Sequence, residues 1–151
     1  MAVIIDDLSK FQDLVGQHLG YSEYKLIDQQ IIDLFADATG DHQWIHVDVE
    51  KAKNGPFGAP IAHGYLTLSL IPALIGQILL VENMAFGVNY GCNKVRFPSP
   101  VKVDSKIRLG ISVASVEEIE GGAQVNLDAV LETEGSEKPS CVAQVVYRYY
   151  N

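Results

Sequence analysis

Tyr65-Leu66-Thr67-Leu68-Ser69-Leu70-Ile71-Pro72-Ala73-Leu74-Ile75-Gly76-Gln77-Ile78-Leu79-Leu80 is the stretch on which the fold turns. From position 54 to 81 no residue carries a formal charge, and most of 65–80 is Leu, Ile or Ala. A membrane span needs about 20 predominantly apolar residues. Here Thr67, Ser69, Pro72 and Gln77 dilute the run, His63 stands just before it, and its clean part is shorter. The reading that remains is a helix buried in a globular core, starting near His63-Gly64. Pro72 removes one backbone donor, so a kink or local distortion is expected there.

Such a helix needs a cover, and the chain downstream supplies one. Ile107, Leu109, Ile111 and Val113 alternate with Lys106, Arg108 and Ser112. Gly121-Gly122 is a turn signal, after which Ala123, Val125, Leu127, Ala129 and Leu131 alternate with Gln124, Asn126 and Asp128. Residues 134–139 give another turn before a β-rich run over 141–150. Residues 85–97 also read as a strand, ended by Pro98 and Pro100. The predicted class is α+β: an antiparallel sheet laid over one long apolar helix.

Upstream the chain reads helical. Ile31, Leu34, Phe35 and Ala38 fall on one stripe, with Gly40 where a left-handed C′ residue would end the helix. Asp48 is placed to cap a short helix over 49–53. Asn54-Gly55-Pro56-Phe57-Gly58-Ala59-Pro60 is too dense in breakers for any regular element. No repeat or linker divides the 151 residues, which read as a single domain over 1–151, long enough to bury roughly 68–70% of the unfolded surface.

Acidic residues outnumber basic ones 19 to 11, for a net charge of −8. A grip on a phosphate backbone needs clustered Lys and Arg, so a nucleic-acid partner is not expected. Cys92 and Cys141 form neither CxxC nor a metal-ligand spacing. The start, Met1-Ala2-Val3-Ile4-Ile5-Asp6-Asp7, lacks a basic region followed by a long apolar run, so a cytoplasmic setting is expected.

The residues able to do chemistry gather between 39 and 69. Thr39-Gly40-Asp41-His42-Gln43-Trp44-Ile45-His46-Val47-Asp48 sets a carboxylate and an imidazole five residues apart, just after a helix. Ala59-Pro60-Ile61-Ala62-His63-Gly64-Tyr65 then places a glycine amide at the start of the apolar helix. A helix N-terminus offers unpaired N–H groups and a positive dipole end, suited to a carbonyl oxygen that gains negative charge. An Asp and a His together can hold one water and exchange its protons. Those are the parts needed to add water across a conjugated double bond. A metal site from His42, His46, Asp48 and His63 would require the His42/His46 pair to share a helix, which the surrounding pattern does not favour, so no metal is expected.

The run Phe35-Ala36-Asp37-Ala38-Thr39-Gly40-Asp41-His42-Gln43-Trp44-Ile45-His46-Val47-Asp48, followed by Gly58-Ala59-Pro60-Ile61-Ala62-His63-Gly64, resembles the hydratase motif of MaoC-like dehydratases, which include the (R)-specific enoyl-CoA hydratases. The likeness is to the nodulation-protein-N-like branch, extending back through Ile27-Asp28-Gln29-Gln30 and forward to Asn93-Lys94-Val95-Arg96-Phe97-Pro98-Ser99-Pro100-Val101. It implies a hot-dog fold, hydration of trans-2-enoyl thioesters or the reverse, and a homodimer or dimer of dimers. It assigns catalysis to Asp41 and His46 on a bound water, with His46 as donor partner to an Asp41 base, and to the Gly64 amide on the thioester carbonyl. No cofactor is implied beyond coenzyme A, or an acyl carrier, as part of the substrate.

Other roles for these residues are also open. Asp41 could merely cap a turn, and Gly64 could serve close packing. His63, Ser69 and Arg96 are weaker candidates for substrate contact: His63 could instead hold its loop, Ser69 could bond its own helix or orient Asp41, and Arg96 with Lys94 and Lys102 could meet phosphates or simply face solvent. A hot-dog thioesterase and a non-catalytic acyl-binding subunit are the competing functions.

Overall fold

A computed structural model describes residues 1–151. Five strands form its main antiparallel path. β6 (Ser105–Ile119), β7 (Gly122–Thr133) and β8 (Cys141–Tyr150) make the centre of a six-stranded sheet. β2 (His18–Tyr21) and β3 (Lys25–Ile27) both pair with β6 on one side, and β5 (Phe86–Arg96) forms the opposite edge, giving the order β2-β6-β7-β8-β5. The alternation predicted for β6 and β7 is the alternation found. Ile107, Leu109, Ile111 and Val113 are buried, as are Ala123, Val125, Leu127, Ala129 and Leu131. The register sets Leu109 opposite Leu131 and Val113 opposite Leu127. Because side chains alternate faces, a slip of one residue would turn this whole set outward.

The helix α4 (Gly64–Ile75) packs on the buried face of the sheet through Leu66, Thr67, Ile71, Leu74 and Ile75, with Pro72 inside it. It is shorter than the apolar run suggests. After Gly76 the chain leaves the helix, and Leu79–Val81 becomes β4, which pairs in parallel with β1 (Val3–Ile5). An apolar run has no period that separates buried helix from buried strand, and the stop at Gly76 divides it into both. No helix is long and apolar enough to cross a membrane.

The N-terminal part corrects the helical reading further. Besides β1, β2 and β3 it holds a 3-10 segment, Leu8–Leu14, whose Phe11 is fully buried and stacked on Tyr149 at 5.4 Å between centroids. The helix α1 (Gln29–Thr39) ends as predicted: Gly40 has φ 82°, and its N–H reaches the Ala36 carbonyl at 2.8 Å. Its buried face differs from the predicted stripe. Ile32 and Ala36 are buried, Ile31 and Phe35 half-buried, and Leu34 is 59% exposed. Asp28 caps α1 through Ile31 N–H at 3.0 Å, and Asp48 caps α3 (Val49–Lys53) through Lys51 N–H at 3.0 Å, the latter as predicted.

Candidate active site

The segment between α1 and α4 holds only two short helices, over 44–47 and 49–53, so specific tethers fix it. Ile61 N–H donates to the Ile45 carbonyl at 3.0 Å, and Ala62 N–H donates to Val101 at 2.8 Å. Val103 N–H donates to Pro60 at 2.9 Å. These bonds dock 60–62 both on the short helix α2 (Trp44–Val47) and on the chain entering β6. His63 and Gly64 follow immediately, so the start of α4 inherits that placement.

Asp41 lies just beyond the Gly40 turn with an exposed side chain, and its Oδ1 accepts from Gln43 N–H at 3.3 Å. The capping role is therefore real, and it leaves the second carboxylate oxygen open. His46, in α2, is only 6% exposed. Its Nδ1 lies 2.6 Å from the Ile61 carbonyl, which can only accept, so Nδ1 carries the proton and Nε2 presents a lone pair. Burial holds this imidazole below its ordinary pKa; the nearby His63 lowers it further, while the Ile61 bond and Asp41 pull the other way. A neutral His46 of this tautomer accepts a hydrogen bond from water. The donor role expected for it is available only after it has taken a proton.

Gln29 adds a third hold. Its Nε2 donates to the His46 backbone carbonyl at 2.8 Å and to Asp33 at 2.9 Å. Gln29 belongs to the quoted motif, yet nothing in its spacing announced this contact.

The structure brings Asp41, His46 and His63 together: one nitrogen or carboxylate oxygen from each lies within 4.8 Å of the others. His42 goes elsewhere, its Nε2 meeting Asp37 of α1 at 2.8 Å on the surface, where that carboxylate raises its pKa. The cluster is a poor metal cage for a geometric reason. The His46 and His63 rings stack at 3.8 Å with planes 21° apart, so their in-plane lone pairs run side by side instead of converging at the ~2.0–2.1 Å a His-bound zinc requires.

Gly64 is the first residue of α4, and its N–H makes no hydrogen bond within the chain. A Cβ here would lie 2.8 Å from the Phe97 ring, so the packing reason for glycine holds beside the electrostatic one. Thr67 Oγ donates to the Gly64 carbonyl at 2.6 Å and steadies that peptide. A cavity of about 280 Å³ reaches Gly64, lined also by Phe57, Ile61, Thr67, Phe97 and Ser140. Asp41 and His46 do not line it; Ile61, which holds His46, forms part of its wall.

The weaker candidates each make the structural contact that the sequence also left open to them. His63 is 3% exposed, and its Nε2 donates to the Asp41 carbonyl at 3.0 Å, the loop-holding role also open to it. Ser69 returns its hydroxyl to the Tyr65 carbonyl at 2.6 Å, bonding its own helix instead of Asp41. Arg96 is exposed, bonds the Val95 carbonyl, and is not part of the wall around Gly64. Sequence reasoning missed Phe57 and Ser140, which come from a turn and a strand entry with no motif of their own.

An antiparallel sheet on a single apolar helix, with a carboxylate–imidazole pair beside that helix's start, defines a hot-dog protein with the parts of a hydro-lyase. The family of MaoC-like domains matches residues 10–134, and the chain belongs to it. It is 50% identical to 3-hydroxyacyl-thioester dehydratase Z of Mycobacterium tuberculosis over 135 residues, 89% of each chain. It is 44% identical to nodulation protein N of Rhizobium leguminosarum bv. viciae, covering 85% of this chain and 82% of that one. Among solved structures, the R-hydratase PhaJ1 of Pseudomonas aeruginosa superposes with a TM-score of 0.75 at 24% identity, covering 93% of this chain and 85% of that chain.

Proposed function

We propose that this protein hydrates trans-2-enoyl thioesters to (R)-3-hydroxyacyl thioesters and catalyses the reverse dehydration. The observation that carries this is the Asp41–His46 pair, whose carboxylate and imidazole come within 4.8 Å, with His46 Nδ1 pinned to Ile61 so that Nε2 is left unprotonated. A water between them donates one hydrogen to each acceptor and turns its oxygen lone pairs toward the substrate. As that oxygen bonds to C3, the pair takes one water proton and the π electrons move through C2 to the thioester oxygen. The Gly64 N–H and the positive end of α4 stabilise that charge. A proton returned to C2 completes the addition, so none is consumed overall. The thioester supplies the activation, which is why no redox or metal cofactor enters this reading. The relatives named as dehydratases of hydroxyacyl thioesters support it.

A net charge of −8 counts against docking an acidic carrier protein unless Lys94, Arg96 and Lys102 form a local basic patch. Two free thiols, Cys92 and Cys141, fit a cytoplasmic setting. Asp41→Asn and His46→Gln should each lower loss of the crotonyl-CoA enoyl absorbance by about 10²–10⁴-fold while the protein stays folded. Wild-type activity in both variants overturns the assignment. Thiol release with the enoyl band intact would identify a thioesterase instead.

A second copy of the chain is proposed as partner. β5 pairs only with β8, which leaves its other edge open, and the strand carries Phe86 at 55% and Tyr90 at 59% exposure. An open edge with exposed aromatics asks for cover. Sedimentation should show a dimer or a dimer of dimers, and a fully active monomer would remove this part of the reading.

A further inference from the structure

His63 sits against both members of the proposed acid–base pair. Its ring is 3% exposed and packs against two others, Phe35 at 4.9 Å and His46 at 3.8 Å between centroids. Its Nε2 is 3.0 Å from the Asp41 carbonyl, and because a carbonyl only accepts, Nε2 carries the proton. Nδ1 is then a lone-pair nitrogen, and it is buried with no hydrogen-bond partner. A buried unpaired polar atom is costly, and an apolar ring would fill the same space without that cost. What an apolar ring could not supply is the donor to Asp41. What an amide side chain could not supply is the flat face against His46.

We propose that His63 is a positioning residue that sets the Asp41–His46 pair in its working geometry through these two separate contacts, the N–H to the Asp41 backbone and the ring face under His46. The proposal rests on the hydratase reading above. His63 touches neither substrate nor water; it fixes where the residue carrying the carboxylate sits and how the imidazole plane lies. The two contacts tie the start of α4 back to the residues just after α1 and to the short helix α2. A displacement of about 1 Å between reacting groups costs on the order of 10²-fold in rate, so a holder of this kind is felt in kcat before KM.

Two substitutions separate the contacts. His63→Gln keeps an amide donor near the Asp41 carbonyl and loses the ring face; His63→Phe keeps the face and loses the donor. With crotonyl-CoA, each should lower kcat by roughly 10–100-fold with KM within about twofold. In an Asp41→Asn background, His63→Phe should cost little more, because residues acting through one unit are not additive. The pH profile gives an independent readout. The titratable groups facing His46 are Asp41 and His63, while its other contacts, Gln29 and the Ile61 carbonyl, are uncharged. Replacing His63 by Phe removes a group that disfavours charge on His46, so the acid limb of kcat/KM should move to higher pH. A residue that only fills space would change melting temperature and leave kcat per folded molecule and the acid limb in place, and that result overturns the proposal. So does a full additive loss on top of Asp41→Asn. If the Phe variant does not fold, the Gln variant decides by its split between kcat and KM. Wild-type turnover with unaffected variants sinks this inference alone; no enoyl-CoA turnover by the wild type sinks it together with the hydratase reading.

Discussion

The β6–β7–β8 sheet and the segment from 39 to 64 are specified in opposite ways. The sheet is held by repetition: alternate side chains are buried over 107–113 and 123–131, each strand is paired along its length, and the core residues Leu109, Leu127 and Val145 are buried in one cluster. The site segment is held by single contacts, such as His46 to Ile61, His63 to Asp41 and Gln29 to His46. Repetition spreads stability over many equivalent positions. Single contacts concentrate precision at a few atoms, which suits groups whose mutual geometry must be exact to within an ångström.

This contrast can be broken or sharpened by measurement. The largest effect on the sheet should come from Leu127→Ala, which removes a fully buried side chain and should cost about 2–5 kcal/mol in denaturant unfolding. The crotonyl-CoA kcat of the molecules still folded should remain within a factor of two, and a much larger fall would mean that sheet and site are not separable. A smaller effect is expected from Gly64→Ala. Its new methyl meets the Phe97 ring at 2.8 Å, so stability should fall by about 1–3 kcal/mol, with recovery when Phe97 is replaced by Leu. Activity should not recover fully with it if the Gly64 amide has been shifted. The smallest effect is a pH slope. His46 has a lowered pKa when folded, so below its ordinary 6.5 the unfolded chain binds a proton the folded chain resists. The stability it contributes is present above that value and is lost as pH falls. His46→Gln should flatten unfolding free energy between pH 7 and 5 relative to wild type, and an unchanged slope would contradict the buried neutral imidazole.

What could be read in advance follows the same division. The alternation of β6 and β7 survives any environment because it is a property of the strand itself, and the Gly40 stop and the Asp48 cap are local chemistry. The buried side of α1 was misplaced since its apolar residues cover a wide arc. Which part is covered depends on the packing around α1, and that selects Ile32 and Ala36 over Leu34. β1 and β4 have three residues each, too few for a period to register. Asp41, His46 and Gly64 were legible as a spaced motif resembling a family. The carbonyls that choose the tautomers of His46 and His63 were not, because any residue type can supply a carbonyl.

The Ile61 peptide is gripped from both sides, its N–H by Ile45 and its C=O by His46. The grip lies downstream of the breaker-rich stretch ending at Pro60, so that stretch can lengthen, shorten or change sequence without reorienting the imidazole. Descendants of this chain are thereby free to remodel the wall around Phe57, and with it the range of molecules admitted, while inheriting the proton-handling apparatus unaltered.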